Sequence, residues 1–268
     1  MVPEPVRVRL ELDSHPENVA LVRSAVTGMA EALALDPELT ADLKTALSEA
    51  CNNVALHAYD DTNGPMVVEL EAGPAGIAAA VIDQGSGITR ISGGEDRMGL
   101  GLALISATAS ASEFRRPEGG GTEVRMWFRA RDARDLSAEL LATSRPVAPP
   151  DTERADSEIL VSLAPPPVMR YVLGRIVHAV AALAHFSLAR LSHLSAANEA
   201  ISVYVEETAQ ERVNLAIQSS PRRLTVCTQA PPEDGPATTA ALAALAAAVD
   251  GLATERDGLR IELVDATS

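Results

Sequence analysis

Hydrophobic and polar positions alternate one for one over Val6-Arg-Val-Arg-Leu-Glu-Leu, the period of a strand with one buried face. The spacing then changes. From about residue 16 to 33 apolar side chains return at helical intervals, Val19, Val22, Val26 and Met29 among them, until a turn at Asp36-Pro-Glu-Leu-Thr. Thr40 or Asp42 is suited to cap a second helix, which runs to about Ala58 on a stripe of Leu43, Leu47, Ala50 and Val54. Residues 66–71 and 77–83 predict two strands around the turn Gly73-Pro-Ala-Gly. A Gly-rich, charged loop covers 85–97, a helix 99–110 and a strand 122–129. The order β-α-α-β-β-loop-α-β predicts an α+β fold, a two-layer α/β sandwich of helices on a mixed sheet.

Residues 130–157 are polar and carry prolines, which places a domain boundary near residue 150 and divides the chain into 1–145 and 150–268. Beyond it the pattern returns: a strand at 158–163, helices at 169–185 and 188–208, and strands at 212–218 and 224–229 around Ser220-Pro221. A helix at 238–252 and a strand at 259–264 follow. Leu47-Ser-Glu-Ala aligns with Ala197-Asn-Glu-Ala, so Glu49 corresponds to Glu199 at 199 − 49 = 150, and Pro74 to Pro221 at 221 − 74 = 147. The nearly constant offset implies a tandem internal duplication.

Charge narrows the function. With 22 basic against 37 acidic residues the 268-residue chain carries −15, which argues against direct nucleic-acid binding and against docking on anionic lipid. Cys51 and Cys227 have no metal-ligand spacing. The start, Met1-Val-Pro-Glu-Pro-Val, lacks the features of a signal peptide, and the apolar stretch 171–191 is interrupted by Arg175, His178, His185 and Arg190. A soluble, cytoplasmic protein with no membrane contact is expected.

Four features belong together. Glu49, Asn53 and His57 are spaced i, i+4, i+8 and share a helix face distinct from the apolar stripe. An amide oxygen there suits Mg²⁺, and a carboxylate one turn away can orient or deprotonate a hydroxyl. Val81-Ile-Asp83-Gln-Gly85-Ser-Gly87-Ile ends a strand in a carboxylate able to accept an adenine amino group, ahead of glycines that let backbone approach a ligand. Met98-Gly99-Leu100-Gly101-Leu102 opens a helix whose free N–H groups form a phosphate seat. Gly119-Gly-Gly-Thr122 sets a flexible turn and a hydroxyl before the last strand.

At these residues the first half, about 6–129, resembles the GHKL ATPase superfamily, and within it the anti-sigma-factor serine kinases of the RsbW and SpoIIAB type. The stretch from Ala46 to Tyr59 resembles the family's N-box, and Asp83-Gln-Gly-Ser-Gly87 and Gly99-Leu-Gly-Leu102 its two glycine boxes. The resemblance implies an ATP site of the Bergerat type, with Asn53 on Mg²⁺, Asp83 on adenine and a short lid over 89–98. Glu49 is then the catalytic carboxylate and Arg97 reaches the γ-phosphate. His57, Gly85, Gly87, Met98, Gly99, Leu100, Gly101, Leu102 and Thr122 complete the nucleotide site. The implied reaction is phosphorylation of a serine on a STAS-type anti-anti-sigma protein, with a sigma factor sequestered otherwise; Arg23 matches a partner-facing arginine. The alternative is nucleotide-responsive sequestration without phosphotransfer. With about 15 residues before the first helix, no phosphoacceptor helix pair of the histidine-kinase kind is expected.

The second half keeps Glu199 but has Val203 at +4, no carboxylate in Thr228-Gln-Ala230, Pro231-Pro-Glu-Asp-Gly for the first glycine box and an Ala-rich run over 240–249 for the second. It is expected to share the fold, to bind no nucleotide and to act as a built-in pseudo-subunit, with a homodimer also possible.

Overall fold

In the computed structural model the first strand, β1 (Val6–Asp13), buries Val6, Val8, Leu10 and Leu12 and turns Arg7, Arg9 and Glu11 to the other face, as the period-two pattern requires. The structure describes residues 5–60, 62–86, 96–117, 120–130, 158–164, 168–208, 212–228, 236–255 and 258–266; of 96–100, 208 and 236–237 it describes the backbone alone. The expected domain boundary lies outside these residues.

The first half continues with α1 (Asn18–Leu33), α2 (Pro37–His57), β2 (Pro65–Gly73), β3 (Gly76–Asp83), α3 (Asp96–Thr108), β4 (Ala111–Arg115) and β5 (Glu123–Arg129). The second comprises β6 (Glu158–Ala164), α4 (Met169–Leu183), α5 (Leu188–Thr208), β7 (Val213–Ser220), β8 (Arg223–Thr228), α6 (Pro236–Ala248), β9 (Gly251–Glu255) and β10 (Gly258–Val264). Each half thus reads β-α-α-β-β-α-β-β.

Several expectations change. The cap of α2 is Asp36, not Thr40 or Asp42: Asp36 Oδ1 accepts from the N–H of Glu38 at 2.9 Å and of Leu39 at 3.4 Å, with Pro37 in the first helical turn. α3 starts at Asp96, three residues before Gly99. Finally, β4 and β9 are strands that the pattern does not show. Ala111-Ser-Glu-Phe-Arg115 and Gly251-Leu-Ala-Thr-Glu255 are short, sit at the two sheet edges and lack apolar alternation. Missing β4 also explains the expected mixed sheet. One helix between β3 and β5 would make a parallel crossover, whereas the chain passes through β4 first and every strand pair is antiparallel.

The strands form one ten-stranded sheet in the order β4-β5-β3-β2-β1-β6-β7-β8-β10-β9. Exchanging each strand for its counterpart in the other half reverses the order and leaves it unchanged. At the centre β1 pairs with β6, from Arg7 opposite Ala164 to Glu11 opposite Leu160. The helices pack in the matching row, α3-α2-α1-α4-α5-α6, over one continuous core. At the middle of that row, α1 meets α4 so closely that a Cβ on Gly28 would lie 2.5 Å from the Tyr171 carbonyl oxygen, and Glu31 pairs with Arg175. Among the described residues no helix is long and apolar enough to cross a membrane.

Matching elements fixes the register between halves. α1 and α4 start at an offset of 169 − 18 = 151, and α2 and α5, both 21 residues long, at 188 − 37 = 151. The buried stripe Leu43, Ala46, Leu47, Ala50, Cys51, Val54 then falls on Leu194, Ala197, Asn198, Ile201, Ser202, Val205, all buried. The expected pairing of Glu49 with Glu199 is therefore one residue out. Glu199 matches Ser48 and is exposed near Arg170, Glu49 matches Ala200, and Asn53 matches Tyr204, which is fully buried.

The sheet face away from the helices differs between halves. In the first, Val67, Ala80, Ile82, Glu123, Arg125 and Trp127 are buried on it. In the second, Asn214 and Gln218 are exposed and Cys227, Arg260 and Glu262 half-buried.

Candidate functional site

Helical spacing puts Glu49, Asn53 and His57 on one face of α2, beside its buried stripe. Glu49 and Asn53 are half-buried, and the Asn53 side chain makes no hydrogen bond with a described residue, so its amide oxygen is open to a ligand. His57, in the last turn, is exposed, and no described residue ties it to the other two.

Asp83 closes β3 and is 3% exposed. Its Oδ1 accepts the N–H groups of Gly85 at 2.8 Å and Thr122 at 3.2 Å, while its own N–H donates to the Thr122 carbonyl at 3.0 Å. Burial lifts this carboxyl above the usual aspartate range, and the bonds from Gly85 and Thr122 oppose the rise. A carboxylate held this way, with spare acceptor capacity in a dry place, suits an amine donor such as that of adenine. Thr122, immediately before β5, is buried beside it.

The surrounding backbone leaves no slack. A Cβ on Gly85 would overlap the Ala58 carbonyl, and Gly121, at φ +79°, sits against the Asp83 carbonyl. The Ser86 N–H donates to the Ala58 carbonyl at 2.9 Å, tying the glycine turn to the end of α2. On α3, Gly101 is buried against the Glu49 carboxylate. Leu102 is half-buried. Because α3 begins at Asp96, the described N–H groups without helical acceptors are those of residues 96–98, and Gly101 lies inside the helix. Gly87 and most of the lid lie outside the described residues, as do the side chains of Arg97, Met98 and Leu100.

Tyr59 is a site residue that pattern reading missed. Its hydroxyl donates to the Pro65 carbonyl at 2.6 Å and accepts the Gln84 N–H at 2.9 Å, pinning the turn after Asp83. Burial, with the Asp83 charge adding to it, pushes the phenol up to about 12, so it stays neutral at any working pH. Gly64 packs on its ring. The sequence signal was Tyr59 itself, an aromatic in a chain with 3% aromatic residues, two residues past the end of α2.

Among the described residues no group of three or more His, Cys, Asp or Glu could hold a metal. A Mg²⁺ would have Asn53 as its protein ligand and take the rest from phosphates and water, the usual pattern for this ion. Away from the cleft, Arg23 donates to Ser48 Oγ at 2.9 Å, and with Lys44 it borders a groove of about 560 Å³ between α1 and α2.

The family model for the histidine kinase-like ATPase domain matches residues 12–128. An anti-sigma F factor of Caldanaerobacter subterraneus is 31% identical over 131 residues, 44% of this chain and 90% of that protein. One of Pasteuria penetrans is 29% identical over 143 residues, 49% of this chain and 95% of its own. The serine-protein kinase RsbW of Bacillus velezensis is 34% identical over 79 residues, 29% of this chain and 49% of that kinase.

Proposed function

Because the chain belongs to the histidine kinase-like ATPase family of the anti-sigma factors, we propose that its first half, within 1–145, binds Mg-ATP and phosphorylates a serine on an anti-anti-sigma protein of the STAS type. When not so engaged it sequesters a sigma factor. The observation that carries this reading is Asp83, a buried carboxylate fixed by two backbone N–H groups beside the helix that bears Glu49 and Asn53.

Asp83 accepts the exocyclic amine of adenine, with Thr122 beside it and Gly85 admitting the ring. Asn53 presents its amide oxygen to Mg²⁺. The ion supplies charge neutralisation on the phosphates when bound. The free N–H groups at the start of α3 face phosphate, and Arg97, Gly87 and His57 complete the surround. Glu49 takes the seryl proton as the hydroxyl oxygen bonds to the γ-phosphorus and the bridging P–O bond breaks, ADP leaving with that electron pair, a step that demands positioning and charge stabilisation more than covalent help.

The second half, within 150–268, is a degenerate tandem copy. Tyr204 and Ala200 stand in for Asn53 and Glu49, and Ala241 stands where α3 has Gly101. It serves as an internal pseudo-subunit. The groove at Arg23 and Lys44 is the partner-facing surface, cationic in a chain of charge −15.

Calorimetry with Mg-ATP on the full chain and on Asn53→Ala tests the reading. One site per chain, lost in the variant, is expected. Two sites would overturn the degenerate second half, and no binding would overturn the ATP site. The absence of a second Asn/Asp set favours one rival, sequestration without phosphotransfer. Glu49→Ala separates the two, since it abolishes turnover in a kinase and leaves a nucleotide-driven switch intact.

A further inference from the structure

Resting on that reading, we infer that Gly101 is a positioning residue for Glu49: the second glycine of Gly99-Leu-Gly101 makes room for the carboxylate that takes the proton. A Cβ on Gly101 would overlap Glu49 Oε1 and lie 3.1 Å from both its Cδ and Cγ. Among the described residues no hydrogen bond holds this carboxylate, so the fit against α3 is what sets where it rests.

The site's glycines divide by what they touch. Gly85 and Gly121 meet the backbone carbonyls of Ala58 and Asp83, which cannot step aside without moving α2 or β3. Gly101 meets the end of a flexible side chain. A methyl group there is absorbed by swinging the carboxylate away, so the fold survives and the alignment does not.

The second half supplies an internal control. α6 and α3 start at an offset of 236 − 96 = 140, which sets Ala241 opposite Gly101. Ala241 is buried, and the residue matching Glu49 is Ala200. Where the carboxylate is gone, the glycine is gone too.

In basal turnover a water takes the place of the seryl hydroxyl. Its oxygen bonds to the γ-phosphorus, the bridging P–O bond to the β-phosphate breaks, ADP leaves with that electron pair, and the water proton passes to Glu49. The test compares the wild type with Gly101→Ala, Glu49→Ala, Glu49→Asp and the Gly101→Ala/Glu49→Asp double variant. It reads single-turnover release of labelled γ-phosphate from Mg-ATP and the ¹³C carboxyl resonance of Glu49. At saturating Mg-ATP, Gly101→Ala is expected to melt like the wild type and lose turnover by about 10²-fold, the scale of an ångström-sized misplacement. Its Glu49 resonance moves. In the Glu49→Asp background, where the shorter side chain clears the methyl group, the same alanine costs less than about threefold. Losses that multiply, or an unmoved Glu49 resonance, would overturn the inference. Failure of the parent reading looks different: Glu49→Ala then turns over like the wild type, and the resonance alone decides whether Gly101 seats the carboxylate.

Discussion

Asn53 and Tyr204 occupy matching positions on helices of equal length with matching buried stripes, yet one is half-buried and the other lies fully buried. The comparison separates what a scaffold needs from what chemistry needs. The six buried positions of the stripe tolerate Leu, Ala, Asn, Ile, Ser, Cys and Val and still hold helix to sheet. What differs is the face beyond the stripe. A half-buried amide and carboxylate stand on it in one half, and a fully buried aromatic ring takes the place of the amide in the other.

The strongest way to break this contrast is to truncate both residues. Tyr204→Ala should destabilise the fold by about 3–5 kcal/mol, the cost of a large buried side chain plus its cavity. Asn53→Ala, away from the core, should cost less than about 0.5 kcal/mol while removing nucleotide binding. Denaturant titration of both variants decides the matter; equal losses would mean that the two positions do the same work.

Asp83→Asn comes next. It should weaken Mg-ATP binding by about 10- to 100-fold, the range for losing a charged acceptor. Its effect on stability has the opposite sign. The Asp83 carboxyl is raised in the folded state, so stability is full below the unfolded value of 3.8 and is lost as pH rises through the folded value. The variant should therefore melt higher than the wild type at neutral pH, with the gap closing as pH falls toward 3.8. A gap that is constant with pH would remove burial of the charge as its cause.

A smaller effect sharpens the comparison at the seam. Gly28→Ala forces a methyl group onto the Tyr171 carbonyl and should cost about 1–3 kcal/mol, as overpacking does. Smallest is the ion pair between Glu31 and Arg175, whose side chains are 40% and 50% exposed; a double-mutant cycle should return less than about 1 kcal/mol.

Most of this architecture was legible from period alone. The alternation in β1 and the stripe on α2 are unambiguous because each buries one face and leaves the other wet. The edge strands were not, since Ser112, Glu113 and Arg115 at a sheet margin carry no apolar rhythm. The register of the second half failed for a different reason. Asn198 and Ser202 are polar residues at core positions, so residue types on α5 pull the alignment one step toward Glu199, and the buried positions correct it. In the site, the motif residues Glu49, Asn53 and Asp83 stood out by type and spacing. Tyr59 did not, because its work is to join two backbone groups that only the folded chain brings near.

The pairing of β1 with β6 has a consequence for how the molecule depends on its own concentration. Between separate chains such a seam would obey mass action and come apart on dilution. Inside one chain the two strands are held at the effective concentration that their covalent connection sets, however few copies a cell contains. The joined sheet is then as complete in a single molecule as in a crowd, and its only unpaired margins among the described strands are β4 and β9, five residues each.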